Sequence, residues 1–179
     1  MDNNLALLYL ALLIVLLGGA GWFIARQVLK TRRMENTLTQ LQKRVREKNP
    51  SAKDFYELGG ILLDKKLYSQ AVVQLQKALK AKDLKDDENK ALIYNALGYA
   101  YAAQNQYDLA IRQYKEALKL QPQYITALSN LGFAYEKKTL DAQALEAYEE
   151  VLKYDSKNSV AKKRSESLRK RLPVTATSS

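Results

Sequence analysis

The sequence predicts an all-α protein with four parts. These are an N-terminal transmembrane helix, a basic juxtamembrane helix, a solenoid of three helical hairpins, and a C-terminal capping helix. Three observations lead there. Residues 5–25 carry no charge and no proline. A spacing pattern centred on Leu-Gly recurs three times between residues 52 and 158. The net charge of +10 sits on two flanks, because the block between them balances its Lys and Arg against its Asp and Glu.

The first part covers residues 1–25. As a helix rising 1.5 Å per residue, the uncharged run spans about 31 Å, matching a hydrocarbon core of about 30 Å. Leu5, Leu12 and Leu17 belong to its aliphatic majority, Ala25 ends it, and Trp22 lies near one end, where an indole settles at the membrane interface. A cleaved signal peptide would place basic residues before a shorter apolar stretch. Here the chain opens Met-Asp-Asn-Asn and the cations follow the run, so a retained single-pass anchor is expected. Arg26, Lys30, Arg32 and Arg33 come directly after it and set topology, facing the lipid head groups. Because Lys and Arg stay on the cytoplasmic side, the N-terminus is expected outside and everything after the span inside. Gly18, Gly19 and Gly21 offer a close-packing patch to another span.

Residues 26–50 follow as a basic helix and linker. Met34, Leu38, Leu41 and Val45 recur at spacings of four, three and four, a stripe about two heptads long. Three uses stay open: pairing with a partner helix, lying on anionic lipid, or serving as a plain spacer. Asn49-Pro50 breaks the helix. Ser51 and Asp54 have the spacing of a capping box that opens the next helix.

Residues 51–158 hold the repeats. The clearest copy, residues 91–124, carries Tyr94, Leu97-Gly98, Tyr101, Ala110, Tyr114, Ala117 and Pro122. Residues 125–158 repeat it with Leu128, Leu131-Gly132, Tyr135, Ala144, Tyr148 and Val151. Residues 52–85 do so with Phe55, Leu58-Gly59, Leu62, Ala71, Leu75 and Ala78. Large residues on one face of a first helix, a small one at the crossing, and small-aromatic-small on a second helix resemble the tetratricopeptide repeat. One such hairpin cannot bury both apolar faces, and three is about the minimum for a continuous core. Asp83 and Ser156 stand where the central copy has Pro122, and five extra residues, 86–90, separate the first two copies. Residues 159–172 read as the closing helix, with Val160, Leu168 and Leu172 inward and Lys162, Lys163, Arg169 and Arg171 in water. Pro173 stops it, and residues 173–179 are expected to be disordered.

Stacked hairpins curve, and first-helix residues not used in packing line the concave face. By offset these include Tyr56 and Leu63, then Leu92, Asn95 and Tyr99, then Ser129 and Phe133, with Glu136 and Lys137 at one end. The strip is mostly apolar and aromatic, which suits a segment of another protein. About half of these residues are expected to be exposed.

Composition removes other chemistries. There is no Cys and no His, hence no thiol or imidazole catalysis and none of the usual zinc ligands. Neither basic flank carries an aromatic base-reader, so a nucleic-acid partner is not expected. An enzyme would have to use Glu149-Glu150 or Asp86-Asp87-Glu88, and neighbouring acids on a helix point apart. No enzymatic activity, cofactor, metal or small-molecule substrate is expected. Repeat domains of this kind that hold the acidic C-termini of chaperones resemble one another in a Lys, Asn, Asn, Lys, Arg clamp. At the matching positions this chain has Tyr56, Gly60, Ala96, Thr126 and Asn130, so that ligand class is not expected.

The layout as a whole resembles a family of cyanobacterial and plastid membrane proteins that assist photosystem I assembly. The likeness rests on the span with Gly18-Gly19-Ala20-Gly21-Trp22, the basic segment after Arg26, and the Leu58-Gly59-Gly60, Leu97-Gly98-Tyr99 and Leu131-Gly132-Phe133 centres. It implies a thylakoid location with the repeats on the cytoplasmic or stromal side. It also implies a scaffold that binds photosystem I subunits or other assembly factors. The alternative is a membrane-anchored adaptor for another bacterial assembly or secretion machine.

Overall fold

The computed structural model describes residues 2–47 and 49–172, and the described residues form helices joined by short turns. They fall into two units that divide between Lys43 and Arg44. The expected disordered tail lies outside the described residues.

The first unit is the greater part of one helix, α1 (Asp2–Arg44), 43 residues long. The apolar run and the basic segment are thus a single uninterrupted element. It ends at Arg44, so Val45, the last member of the apolar stripe, falls in the following turn. From Leu7 to Leu29 its large apolar side chains stand exposed; Leu12 is 59% and Leu17 63% accessible. By length and composition the helix can cross a membrane.

The second unit is a stack of three hairpins and a closing helix. The hairpins pair α2 (Ala52–Asp64) with α3 (Tyr68–Lys80), α4 (Asp87–Ala103) with α5 (Tyr107–Leu120), and α6 (Ile125–Lys137) with α7 (Asp141–Tyr154). The closing helix is α8 (Ser159–Arg171). The capping box forms at α2: the Asp54 amide donates to Ser51 Oγ at 3.1 Å, and the Ser51 amide donates to Asp54 Oδ2 at 3.0 Å. Asp83, from the loop after α3, adds a second cap by accepting the Ala52 amide at 3.0 Å. Two amides that a helix start leaves without partners are thereby satisfied.

Each hairpin is closed at its Leu-Gly centre. A β-carbon on Gly59 would lie 2.7 Å from Leu75 Cδ2, one on Gly132 2.9 Å from the Tyr148 ring, and one on Gly98 would collide with the Tyr114 ring. The partner rings and chains are themselves buried: Tyr114 is 1% exposed, Leu75 0% and Tyr148 2%. One apolar cluster joins Tyr114, Leu131, Tyr148 and Leu168 from α5 through α8, and another joins Leu75, Ala78, Ile93 and Leu97 across the first two hairpins. Burial of such side chains contributes roughly 1.5–3 kcal/mol each, which is what holds short helices together.

Two features depart from the sequence reading. The five residues between the first two repeats are not a spacer. Asp86 caps α4 through the Glu88 and Asn89 amides, and the rest form its first turn. In α8 the inward face is Ala161, Ser165 and Leu168, while Val160 is 61% exposed. Asn158 caps α8 by accepting the Ala161 amide. That cap sets the helix phase and puts Ala161, not Val160, against α7.

Candidate partner-binding site

The first helices α2, α4 and α6 lie side by side, so equivalent positions along them form a strip. Tyr99 on α4 is 48% exposed and Phe133 on α6 39%. Tyr56, Leu63, Leu92, Asn95 and Ser129 are half-buried. Tyr56 and Leu63 gain their burial by packing on the core of the first two hairpins.

Two hollows break the strip. Tyr56 and Leu92 line one of about 520 Å3, floored also by Ile93 and Leu84 and rimmed by Lys53, Glu57, Lys85 and Asn89. Gly60, Leu63 and Tyr99 line another of about 420 Å3, beside Asp64, Lys66 and Tyr68. Leu84 and Lys85, from the loop that ends the first repeat, and Asn89, from the five-residue insert, were missed from the sequence because the offsets of the first helices do not reach them. The signal was present, since Asp-Asp-Glu after a repeat boundary is the pattern of a helix start.

Polar residues on the strip are tied to one another. Asn130 Nδ2 donates to Asn95 Oδ1 at 3.0 Å, and Asn95 Nδ2 donates to the Tyr124 hydroxyl at 3.2 Å. Asn95 therefore couples α4 to α6. Burial raises the Tyr124 phenol above its ordinary range, with the Asn95 bond opposing the shift. Glu136 leaves the strip altogether: its carboxylate meets Arg164 at 3.1 Å and Arg171 at 3.8 Å, and it is 14% exposed. Lys137 instead folds over the Phe133 ring at 5.3 Å, a cation–π contact that leaves a positive charge beside the aromatic surface. The strip is thus an apolar, partly aromatic ledge with a cationic edge.

The acids that catalysis would need are occupied separately. Glu149 accepts from Arg169 at 2.6 Å and Glu150 from Lys153 at 2.5 Å. Asp86 caps α4, and Asp87 pairs with Lys90 at 2.7 Å. On α1, Trp22 is 65% exposed and stacks under the Arg26 guanidinium at 5.4 Å. Lys30, Arg32 and Arg33 project from the turns that follow, and Ala25 is exposed between them and the apolar run. The side chain of Leu5 is outside the described set.

These hairpins, with their glycine crossings, define a helical-repeat protein of the tetratricopeptide type, a class that mediates protein–protein contacts. Residues 98–138 match the TPR repeat family and residues 125–158 the tetratricopeptide repeat family. The first tetratricopeptide domain of Spaghetti (RPAP3), solved with an HSP90 peptide, superposes with a TM-score of 0.62. It is 20% identical, over 68% of this chain and 92% of that one, a likeness of fold. Among whole sequences, the ycf37 protein of Cyanophora paradoxa is 39% identical over 164 residues, which is 92% of this chain and 95% of that protein. The chloroplastic tetratricopeptide repeat protein PYG7 of Arabidopsis thaliana is 43% identical over 173 residues. That match takes in 97% of this chain but spans 57% of the Arabidopsis protein. The chain belongs to the ycf37 family.

Proposed function

We propose that this protein is a membrane-tethered scaffold that binds photosystem I subunits or their assembly factors on the α2–α4–α6 strip and assists photosystem I assembly. The observation that carries the binding role is the pair Tyr99 and Phe133, two large aromatic side chains left exposed at matching positions on successive first helices. Exposed aromatics, of which Tyr99 also lines a hollow, are what an interface core is made of. The tether rests on α1, whose apolar surface is uncovered along the length of a bilayer core. The photosynthetic setting is supported by the chloroplastic relative and by the resemblance in layout to photosystem I assembly proteins noted from the sequence. The chaperone-tail ligand of the structural neighbour does not transfer. Tyr56, Gly60, Ala96 and Thr126 supply none of the cations or amides of that clamp, and Asn130 donates to Asn95.

The test is deletion in a photosynthetic host, with photosystem I measured against photosystem II in the same cells. A selective fall in photosystem I is expected, together with photosystem I subunits or assembly factors in mild-detergent captures. Tyr99→Ala with Phe133→Ala should reproduce the fall while helicity and membrane insertion persist. Truncating such anchors costs about 2 kcal/mol or more, roughly a thirtyfold loss of affinity. Normal photosystem I in the deletion strain would overturn the assembly role and leave an adaptor for another membrane machine.

A further inference from the structure

The helix that carries the apolar span does not stop at the membrane surface. It continues as regular α-helix to Arg44, 19 residues past Ala25, which at 1.5 Å per residue adds about 28 Å. A span that then lay flat on the head groups would need a sharp kink near Ala25. Such kinks arise at proline, at glycine pairs or at π-bulges. Between Trp22 and Arg44 there is no proline and no glycine, and the α-helix is unbroken. Gly18, Gly19 and Gly21 sit inside the apolar run, too early to turn the basic segment.

The side chains agree. Thr31, Thr37 and Thr39 donate their hydroxyls to the carbonyls of Gln27, Arg33 and Glu35 at 2.9–3.0 Å. Such bonds keep the hydroxyls satisfied along the segment; they can bend a helix, but the α-helix here stays unbroken through them. Asn36, Thr37, Thr39, Gln40 and Lys43 occupy the exposed side of the segment, while on the opposite stripe Leu38 is 8% and Leu41 3% exposed, so no broad apolar face is left for lipid.

We propose that α1 is a rigid stalk that stands up from the bilayer, rather than a span followed by a surface-lying basic helix. This deepens the scaffold reading and rests on the membrane span. With a tilt of about 20–40°, Arg44 stands roughly 22–27 Å beyond the end of the apolar run. The head-group layer is only about 5–8 Å deep on each side, and salt screens charges beyond about 8–10 Å. Arg26 and Lys30 are therefore the cations within the head groups, with Arg32 and Arg33 at the limit of their reach. Lys43 and Arg44 are beyond it, and their charge serves protein. Arg44 Nη1 lies 3.8 Å from Asp54 Oδ1, at the start of the repeat block. A partner of the stalk's far end must accordingly present a membrane-extrinsic protein surface, not lipid.

The absence of native cysteine makes the test direct. Single-cysteine variants at Leu17, Gln27, Thr31, Arg33, Asn36 and Gln40 of the full chain would carry nitroxide labels in nanodiscs holding gadolinium-chelate lipids. Distances from each label to the head-group plane are then measured by pulsed electron spin resonance. The stalk requires distance to rise steadily after Gln27, with Gln40 about 15–18 Å farther from the bilayer. A near-constant distance alternating with a period of 3.6 residues would overturn it in favour of a surface helix. The Leu17 label, read by oxygen accessibility, separates the two ideas. A water-exposed Leu17 would sink the span itself, and the stalk with it; a lipid-exposed Leu17 with a flat profile would sink the stalk alone.

Discussion

At residue scale the repeat block depends on a few positions where backbone and side chain leave no choice. Gly98 is one: the Tyr114 ring occupies the place a β-carbon would take. Gly98→Leu should cost about 1–3 kcal/mol or more. Gly60→Ala, where nothing lies within 4 Å, should be neutral or stabilising by up to about 1 kcal/mol through helix propensity. Melting of the full chain in detergent, followed by circular dichroism, checks the pair, and equal midpoints would mean that the crossing at Gly98 is not tight. A second position recurs in every hairpin. Lys66, Asn105 and Thr139 all have φ of 56–60° at the turn between first and second helix. Asparagine tolerates that left-handed conformation, whereas a β-branched residue is strained in it. Thr139→Asn, which copies the central hairpin, should raise stability by about 0.5–1 kcal/mol, a gain of about 2–4 °C. An unchanged or lower midpoint would count against strain at that turn.

At element scale, helix starts are where the chain's acids are spent. Asp54 is held below its ordinary carboxylate range chiefly by the Ser51 hydroxyl and then by the Ser51 amide. Its folded value is thus lower than its unfolded value. The stabilisation is complete above the ordinary range near 3.8 and is lost as pH falls through the folded value. Ser51→Ala should cost about 1 kcal/mol at neutral pH, and the gap from the native protein should narrow as pH drops below that range. Denaturant titrations at neutral and acidic pH would reveal it, and a gap that stays constant would exclude the capping box as its source. The closing helix shows the converse economy of charge. Arg164, Arg169 and Arg171 turn back to Glu136, Glu149 and Asp141, so part of the basic C-terminal flank is neutralised against the last repeat. Exposed pairs of this kind contribute little singly. Their effect is to orient α8 over a small apolar contact.

At the scale of the whole molecule, the proposed orientation rests on the distribution of charge. The proposed topology places the repeats on the cytoplasmic or stromal side, because Arg26, Lys30, Arg32 and Arg33 follow the apolar run at once. Protease added to that face of sealed vesicles should digest the repeat block and leave a small protected fragment around α1. Digestion only from the opposite face would reverse the topology.

Much of this architecture was legible because it is written in local periodicity. The Leu-Gly centres, the small-aromatic-small spacing and the 21-residue uncharged run each report on a nearby backbone, and backbone regularity repeats at known intervals. Ser51 with Asp54 announced a helix start for the same reason. What the sequence could not state was phase and commitment. Whether Val160 or Ala161 faces inward depends on where Asn158 caps α8. Whether residues 86–90 are spacer or helix depends on Asp86 finding two amides. The strip was inferred by offset, yet Asn95 and Glu136 are taken up by residues 35 and 28 positions away, Asn130 and Arg164. The sequence by itself determined the helices, their pairing and the long apolar run, since those follow from hydrophobic pattern and short-range sterics. Only the tertiary structure decided which polar side chains remain free to meet a partner, because that turns on hydrogen bonds and ion pairs between residues that no periodic rule brings together.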